Sequence, residues 1–171
     1  MRIAYADPPY PGCAHLYADH PDYAGEVDHE ELIERMERDY DGWVLHTGAA
    51  HLQDVIALCP EGVRVMAWVK GWCSWKPGVS VKYAWEPVLL RNPKQRLKSA
   101  HVVRDWLACN VTTGQVVKGA KPDAVCKWIF DAMGLDPDDD LTDLYPGSGA
   151  VTRAWDSWRS QLSLLTEGTA A

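Results

Sequence analysis

Short apolar runs alternate with amphipathic helical patterns through the first 70 residues, and this alternation limits the choice of fold more than any other feature. The runs RIAYA, GWVLHT and VRVMAWV have the length of strands. The helical pattern between the first two begins at Asp28, a good N-cap, and the pattern after the second ends before Pro60. Strands and helices in this order predict an α/β fold with a mostly parallel central sheet and helices on both faces.

The pattern changes after Val69. The runs VSVKYAW and PVLLR lie among turn residues and predict an antiparallel hairpin or edge strand towards the C-terminal side of the fold, and residues 99–120 indicate only a short strand and a loop. KPDAVCKWIFDAMGL then predicts a helix that begins at Pro122. LTDLYPGSGAVTRAWDSWRSQL predicts a strand, a glycine turn and a helix. We find no repeat or linker, so a single domain over residues 1–171 is expected.

Charge is unevenly distributed along the chain. The net charge is −7, yet the segment from Arg64 to Lys121 holds eleven lysines and arginines against two acids. A basic middle between acidic flanks fits a phosphate-facing surface, although solvated lysines can cluster by chance. We therefore interpret residues of about 70–120 as a possible target-recognition region.

The remaining composition indicates a reduced, soluble setting. The five cysteines are scattered, and none forms a CxxC pair. No apolar run approaches the roughly 20 residues that span a bilayer, and the start lacks the apolar core of a signal peptide. We expect a cytoplasmic protein.

The turn Asp7-Pro8-Pro9-Tyr10 follows the first strand directly. Prolines cannot continue a sheet, so the turn is either a plain strand stop or a rigid holder of a carboxylate and a ring. The amine of a nucleobase is a poor nucleophile. The Asp7 carboxylate and the Pro8 carbonyl could accept its two N–H groups while Tyr10 stacks on the base.

A second turn, DLYPGSG from Asp143 to Gly149, follows the last predicted strand. Glycines at a strand-to-helix turn let backbone amides approach a ligand closely. Alone this feature is weak, and it matches neither the Walker loop nor GxGxxG.

Together the two turns make the chain resemble the S-adenosylmethionine-dependent DNA amino-methyltransferases, in the permuted order with DPPY first and the cofactor motif last. WEPVLL resembles the family's strand near the target base, and AKPDAVCKWIFDAMG resembles its helix before the cofactor turn. Tyr145 stands where the family has phenylalanine. The resemblance implies a Rossmann-like methyltransferase fold, and it requires both turns to lie on neighbouring strand tips and to share one crevice.

The resemblance also implies roles. Asp7, Pro8, Pro9 and Tyr10 would bind the target amine, and no metal is needed. Glu167, about 20 residues past the glycine turn at the end of LSLL, would bind the ribose from a last strand. The other residues implied to bind S-adenosylmethionine are Asp143, Tyr145, Pro146, Gly147, Ser148, Gly149, Lys121 and Pro122.

Nucleic-acid contacts are predicted from charge and aromatic content. The candidates for phosphate contact or base stacking are Arg91, Lys94, Arg96, Lys98, Arg104, Trp72, Trp75 and His15. The DPPY turn favours adenine in DNA, since the cytosine enzymes of the family more often have serine first. RNA, cytosine, a homodimer and a nucleic-acid-binding module with a decayed site are the alternatives.

Overall fold

The computed structural model describes residues 1–19, 23–73, 77–92, 102–111 and 120–167. The strands in these residues are β1 (Arg2–Ala6), β2 (Gly42–His46), β3 (Arg64–Val69), β4 (Trp85–Arg91), β5 (Trp106–Ala108) and β6 (Asp140–Asp143). The α-helices are α1 (His29–Asp39), α2 (Leu52–Ala57), α3 (Asp123–Met133) and α4 (Ala150–Glu167), and two short 3-10 helices cover Ala14–Tyr17 and Ala49–His51.

The six strands form one mixed sheet in the order β5-β3-β4-β2-β1-β6. β1 pairs in parallel with β2 and β6, and β3 pairs in parallel with β5. β4 is antiparallel to both of its neighbours, β2 and β3. Five strands therefore point the same way, which confirms the mostly parallel α/β sheet, and the reversed β4 lies in its middle.

β3 and β4 are consecutive in the chain and pair antiparallel, which confirms the predicted antiparallel hairpin, in the middle of the chain and not on its C-terminal side. The alternative of an edge strand is wrong, because β4 lies inside the sheet. Val88, Leu89 and Leu90 are all buried, because β4 is covered on both faces. A continuous apolar run is typical of such a central strand, whereas alternation indicates a half-exposed one. The run VSVKYAW contributes only its last residue, Trp85, to a strand.

Helices cover both faces of the sheet. On one face Ile3, Tyr5 and Val44 pack against α3 and α4, whose core includes Phe130 and Trp155. On the other face the alternate strand residues pack against α1 and α2; the buried side chains there include Ala4, Ala6, Trp43, Leu45, Leu32, Ile33, Met36 and Val55. The two-residue alternation along β1 and β2 thus fills a separate core on each side.

The ends of the predicted helices are largely confirmed. The Asp28 side chain accepts hydrogen bonds from the backbone N–H groups of Glu30 and Glu31, each at 3.0 Å, and so caps α1. Pro122 is the N-cap of α3, and Gly134 ends that helix in the left-handed conformation.

The prediction of a last strand at LSLL is wrong, because α4 continues to Glu167. Ala154, Trp155 and Trp158 are buried at helical spacing, and Leu162 packs beside them, so the apolar stripe persists as a helix. None of the described helices combines the length and the hydropathy needed to cross a membrane.

Candidate active site

The two turns lie side by side because β1 and β6 are parallel neighbours. Tyr5 in β1 is in register with Asp143 in β6, and the Leu144 amide donates to the Tyr5 carbonyl at 2.9 Å. Each turn follows the carboxyl end of its strand. The structure thus brings together the first and last motifs of the chain, as the resemblance requires.

A cavity of about 320 Å³ lies between these turns. Small-molecule sites in proteins are typically about 300–1,000 Å³ in volume, so the cavity has the size of a cofactor site. Its lining joins Asp7 to the glycine turn; the lining residues are Asp7, Pro9, Tyr17, Tyr23, Ala24, Gly25, Val27, Ala120, Lys121, Leu144, Tyr145, Pro146, Gly147, Ser148, Ala150 and Val151. We call this the first cavity.

The glycine turn needs both of its glycines. Gly147 and Gly149 have φ values of +42° and +70°, which L side chains rarely adopt. The Gly149 amide donates to the Pro146 carbonyl at 2.6 Å, and Arg153 donates to the Ser148 carbonyl at 2.8 Å. The turn is therefore held tightly at the start of α4, and Ala150 and Val151 of α4 also line the cavity.

Asp143 carries a polar atom that lacks a partner. Its Oδ1 accepts from the Tyr145 amide at 3.2 Å, while the buried Oδ2 has no hydrogen-bond partner among the described residues. Burial raises the pKa of the Asp143 carboxyl to about 6. Unsatisfied buried polar atoms are uncommon. Asp143 does not itself line the first cavity, but the next two residues, Leu144 and Tyr145, do.

Asp7 forms an ion pair with Lys121, with 2.8 Å between Oδ2 and Nζ. Lys121 is buried, precedes α3 and also lines the first cavity. Burial raises the pKa of Asp7 above its ordinary value, although Lys121 acts in the opposite direction. The Asp7 carboxylate is thus a stronger proton acceptor than a solvated aspartate.

Glu86, near the start of β4, is the second carboxylate at this site. It pairs with Lys70 at the end of β3, and its Oε2 lies 3.5 Å from Lys121 Nζ. The Tyr10 hydroxyl is hydrogen-bonded to Glu86. Burial alone would raise the pKa of Glu86, but Lys121 and Lys70 outweigh it and hold the pKa below its usual value.

A second cavity, of about 400 Å³, lies on the other side of these charges. The Tyr10 ring forms part of its wall, and a Cβ added to Gly48 would lie 3.0 Å from Tyr10 Cδ2. Trp72, Tyr83 and Trp85 are exposed aromatic residues at the same cavity. The other lining residues are Cys13, Ala49, Ala50, His51, Lys70, Cys73, Val79, Lys82, Glu86 and Val111. This is the second cavity.

The structure separates the predicted nucleic-acid residues into two groups. Trp72 lies at the second cavity. β4 runs opposite to its neighbours, so Arg91 at its end lies beside the amino ends of the parallel strands, roughly 20 Å from Trp85. Arg91 pairs with Glu37 at 3.5 Å. Arg104 precedes β5 and so also lies beside the amino ends of the parallel strands. His15 is exposed in the 3-10 helix Ala14–Tyr17, and Lys94, Arg96, Lys98 and Trp75 lie outside the described residues.

The geometry on which the role of Glu167 depended is absent. Glu167 is the last residue of α4, roughly 25 Å along the helix from Ala150 at the first cavity. The expected position beside the cofactor turn is therefore corrected. Sequence reasoning also assigned no role to Glu86 and Lys70, although a glutamate just before a buried apolar strand could have indicated one.

Comparison with known proteins identifies the fold. No protein-family model matches the chain, and no curated protein matches it. Among solved structures, the M1.HpyAVI–SAM complex matches with a TM-score of 0.63 and 16% identity over 92% of this chain and 77% of that one. M1.HpyAVI without a named ligand matches with a TM-score of 0.61 and 17% identity over 92% and 76%. The chain therefore has the Rossmann-like methyltransferase fold, the fold that M1.HpyAVI also has.

Proposed function

We propose that this chain is an S-adenosylmethionine-dependent DNA methyltransferase that acts on the exocyclic amine of adenine. One observation carries the proposal: the Asp7 carboxylate and the glycine turn from Pro146 to Ser148 line the same cavity. A group that binds an amine and a turn that suits a cofactor are thereby close enough for direct transfer between their ligands. The shared fold with M1.HpyAVI, which is known as a SAM complex, supports this assignment.

The first cavity suits S-adenosylmethionine. Tyr145 and Val27 offer apolar wall, and the glycine turn admits close backbone approach. Asp143 precedes the lining residues Leu144 and Tyr145, and its unpartnered Oδ2 would be an acceptor for a bound cofactor. Lys121, followed by Pro122, offers a cation to a carboxylate of the ligand. When bound, S-adenosylmethionine supplies an electrophilic methyl group on a sulfonium.

The chain's own residues orient and deprotonate the amine. The Asp7 carboxylate and the Pro8 carbonyl would each accept one N–H, which directs the nitrogen lone pair towards the first cavity. Tyr10 would stack on the base from the second cavity. The raised pKa of Asp7 suits it to take the proton that the amine loses after transfer.

The second cavity fits an extrahelical base. A base in a duplex must leave the stack to reach Asp7, and exposed aromatic residues with nearby cations suit unstacked nucleotides. Trp72, Tyr83 and Lys82 provide such a rim. This rim lies within the basic middle of the chain, and we propose the part of that segment at the second cavity as the target-recognition region. A homodimer and an RNA substrate stay predictions.

Methyl transfer from labelled S-adenosylmethionine to DNA, followed by nucleoside analysis, tests the proposal. We expect label in N6-methyladenine, and a loss of at least about 100-fold in the Asp7→Asn variant with cofactor affinity retained. S-adenosylmethionine should also raise the melting temperature of both proteins. Label in cytosine, or label only in RNA, would show that adenine in DNA is not the substrate. No transfer by the wild-type chain would favour a nucleic-acid-binding module with a decayed site.

A further inference from the structure

Four charged side chains form a continuous network between the two cavities. Lys121 lies between Asp7 at 2.8 Å and Glu86 at 3.5 Å, and Lys70 pairs with Glu86. Each of the four side chains is at most 20% exposed. The ammonium groups of Lys70 and Lys121 lie 4.7 and 5.4 Å from the centre of the Trp68 ring. The two negative and two positive charges balance, as a network this enclosed requires.

Lys121 is paired with the Asp7 carboxylate, the acceptor that the target amine needs. Its ion pair involves Asp7 Oδ2, so an amine N–H that approaches this oxygen competes with an ammonium. Glu86, the second carboxylate that contacts Lys121 among the described residues, is 0.7 Å further from its Nζ than Asp7 is. A small displacement of the flexible lysine side chain would complete the ion pair with Glu86 and release Asp7.

Glu86 also controls the stacking ring. It accepts from the Tyr10 hydroxyl, and it also accepts from Lys70 at Oε1. A single carboxylate therefore contacts Tyr10 of the second cavity and Lys121 of the first.

We propose that Glu86 is a positioning residue: it takes Lys121 over from Asp7 when the target amine binds, and it holds Tyr10 in place for the base. The inference rests on the function proposed above and deepens it. Glu86 itself does not touch the reacting atoms. It keeps the carboxylate free and the ring aligned.

The negative charge of Glu86 predicts the direction in which the pKa of Asp7 changes when Glu86 is neutralised. The charge of Glu86 raises the pKa of Asp7, whereas Lys121 and Lys70 lower it. Among the described residues, the further titratable groups that interact with Asp7 are Tyr5, Tyr10, Tyr17, Cys126 and Asp143. Neutralising Glu86 removes the repulsion and leaves Lys121 with Asp7 alone, so both changes move the pKa of Asp7 downward.

Glu86→Gln and Glu86→Asp test the inference, with the exposed Glu61→Gln as the matched control. In Glu86→Gln we expect kcat to fall on the order of 100-fold with KM for DNA little changed, and the acid limb of kcat/KM to move to lower pH. Glu86→Asp keeps the charge but is too short for both contacts. It should lose kcat while its acid limb stays near that of the wild type.

A carboxyl-carbon NMR titration gives a readout that needs no activity. With Asp7 assigned through Asp7→Asn, its pKa should fall in Glu86→Gln and stay unchanged in Glu61→Gln. A wild-type kcat in any folded Glu86 variant, a loss in KM alone, or an unmoved Asp7 titration would overturn the inference. If the wild-type chain transfers no methyl group, the proposed function fails while the titration still decides the role of Glu86.

Discussion

Asp143 is a residue at which ligand binding and stability make opposite demands. Its Oδ2 is buried without a partner among the described residues, and burial raises the pKa of its carboxyl to about 6. The folded state therefore binds a proton more tightly than the unfolded state, where the pKa is about 3.9. The free energy of unfolding must then decrease as pH rises through this interval, because the charged form is less favourable in the fold.

Asp143→Asn should stabilise the free protein at pH 8 by on the order of 1 kcal/mol, a figure reduced for solvent screening at this half-buried site. The difference should vanish near pH 3, where the wild-type carboxyl is protonated in both the folded and the unfolded state. Urea unfolding at both pH values measures it. The same variant should bind S-adenosylmethionine at least about tenfold more weakly by calorimetry. Equal stability at both pH values would show that Asp143 is not desolvated.

At the scale of elements, the junction between β2 and the 3-10 helix Ala49–His51 supports the stacking ring. Gly48 has ordinary backbone angles, φ −78° and ψ 145°, so its lack of a Cβ matters for space and not for conformation. An added Cβ would lie 3.0 Å from Tyr10 Cδ2 and 3.3 Å from His51 Cδ2. The junction thus sets the position of the ring from outside the DPPY turn.

Gly48→Ala should displace the Tyr10 ring by a few tenths of an ångström and lower methyl transfer by about tenfold or more. Cofactor affinity and melting temperature should change little, because the first cavity does not include Gly48. Steady-state kinetics and calorimetry on one preparation separate the two effects. Unchanged kinetics would mean that the ring is not fixed at this contact.

Most elements could be predicted because local signals and tertiary context agree. The cap at Asp28, the stop at Gly134 and the apolar run of β1 each specify their element locally. The antiparallel direction of β4 was predicted, but its central position was not, because that position depends on pairing with β2, which is distant in sequence. LSLL was misread because four apolar residues fit a strand or a helix equally well, and the stripe of α4 decided the outcome.

The active site shows the same division. The two turns could be found in the sequence because proline and glycine specify backbone conformation locally. The network of Glu86, Lys70 and Lys121 could not, because it joins β4, β3 and the start of α3 across separations of 16 to 35 residues. An ion pair of this kind leaves no pattern in a single sequence.

Across the whole molecule, the basic residues are divided between the two ends of the parallel strands. Lys70 and Lys82 lie at the second cavity, by the carboxyl ends of the parallel strands. Arg91 and Arg104 lie beside the amino ends of the parallel strands, and Arg64 pairs there with Asp105. The excess of positive charge in the middle of the sequence therefore does not form one surface among the described residues.

Lys82→Ala should weaken DNA binding and reduce the slope of log affinity against log salt by about 1, because one phosphate contact is lost. Arg104→Ala is the matched control, since it removes one positive charge beside the amino ends of the parallel strands and should leave the slope unchanged. Fluorescence anisotropy over a salt series measures both. A lower slope in Arg104→Ala and an unchanged slope in Lys82→Ala would place DNA beside the amino ends of the parallel strands.

The central claim is that the amine and the methyl donor meet between two strand tips, and a crystal structure of the chain with S-adenosylmethionine tests it most directly. A hydrogen bond of about 2.9 Å and an attack distance of about 3–3.5 Å limit the separation of the reacting groups. We predict that the methyl carbon lies within about 6 Å of an Asp7 carboxylate oxygen and faces it. A cofactor bound outside the first cavity, or with its methyl group directed away from Asp7, would contradict the claim.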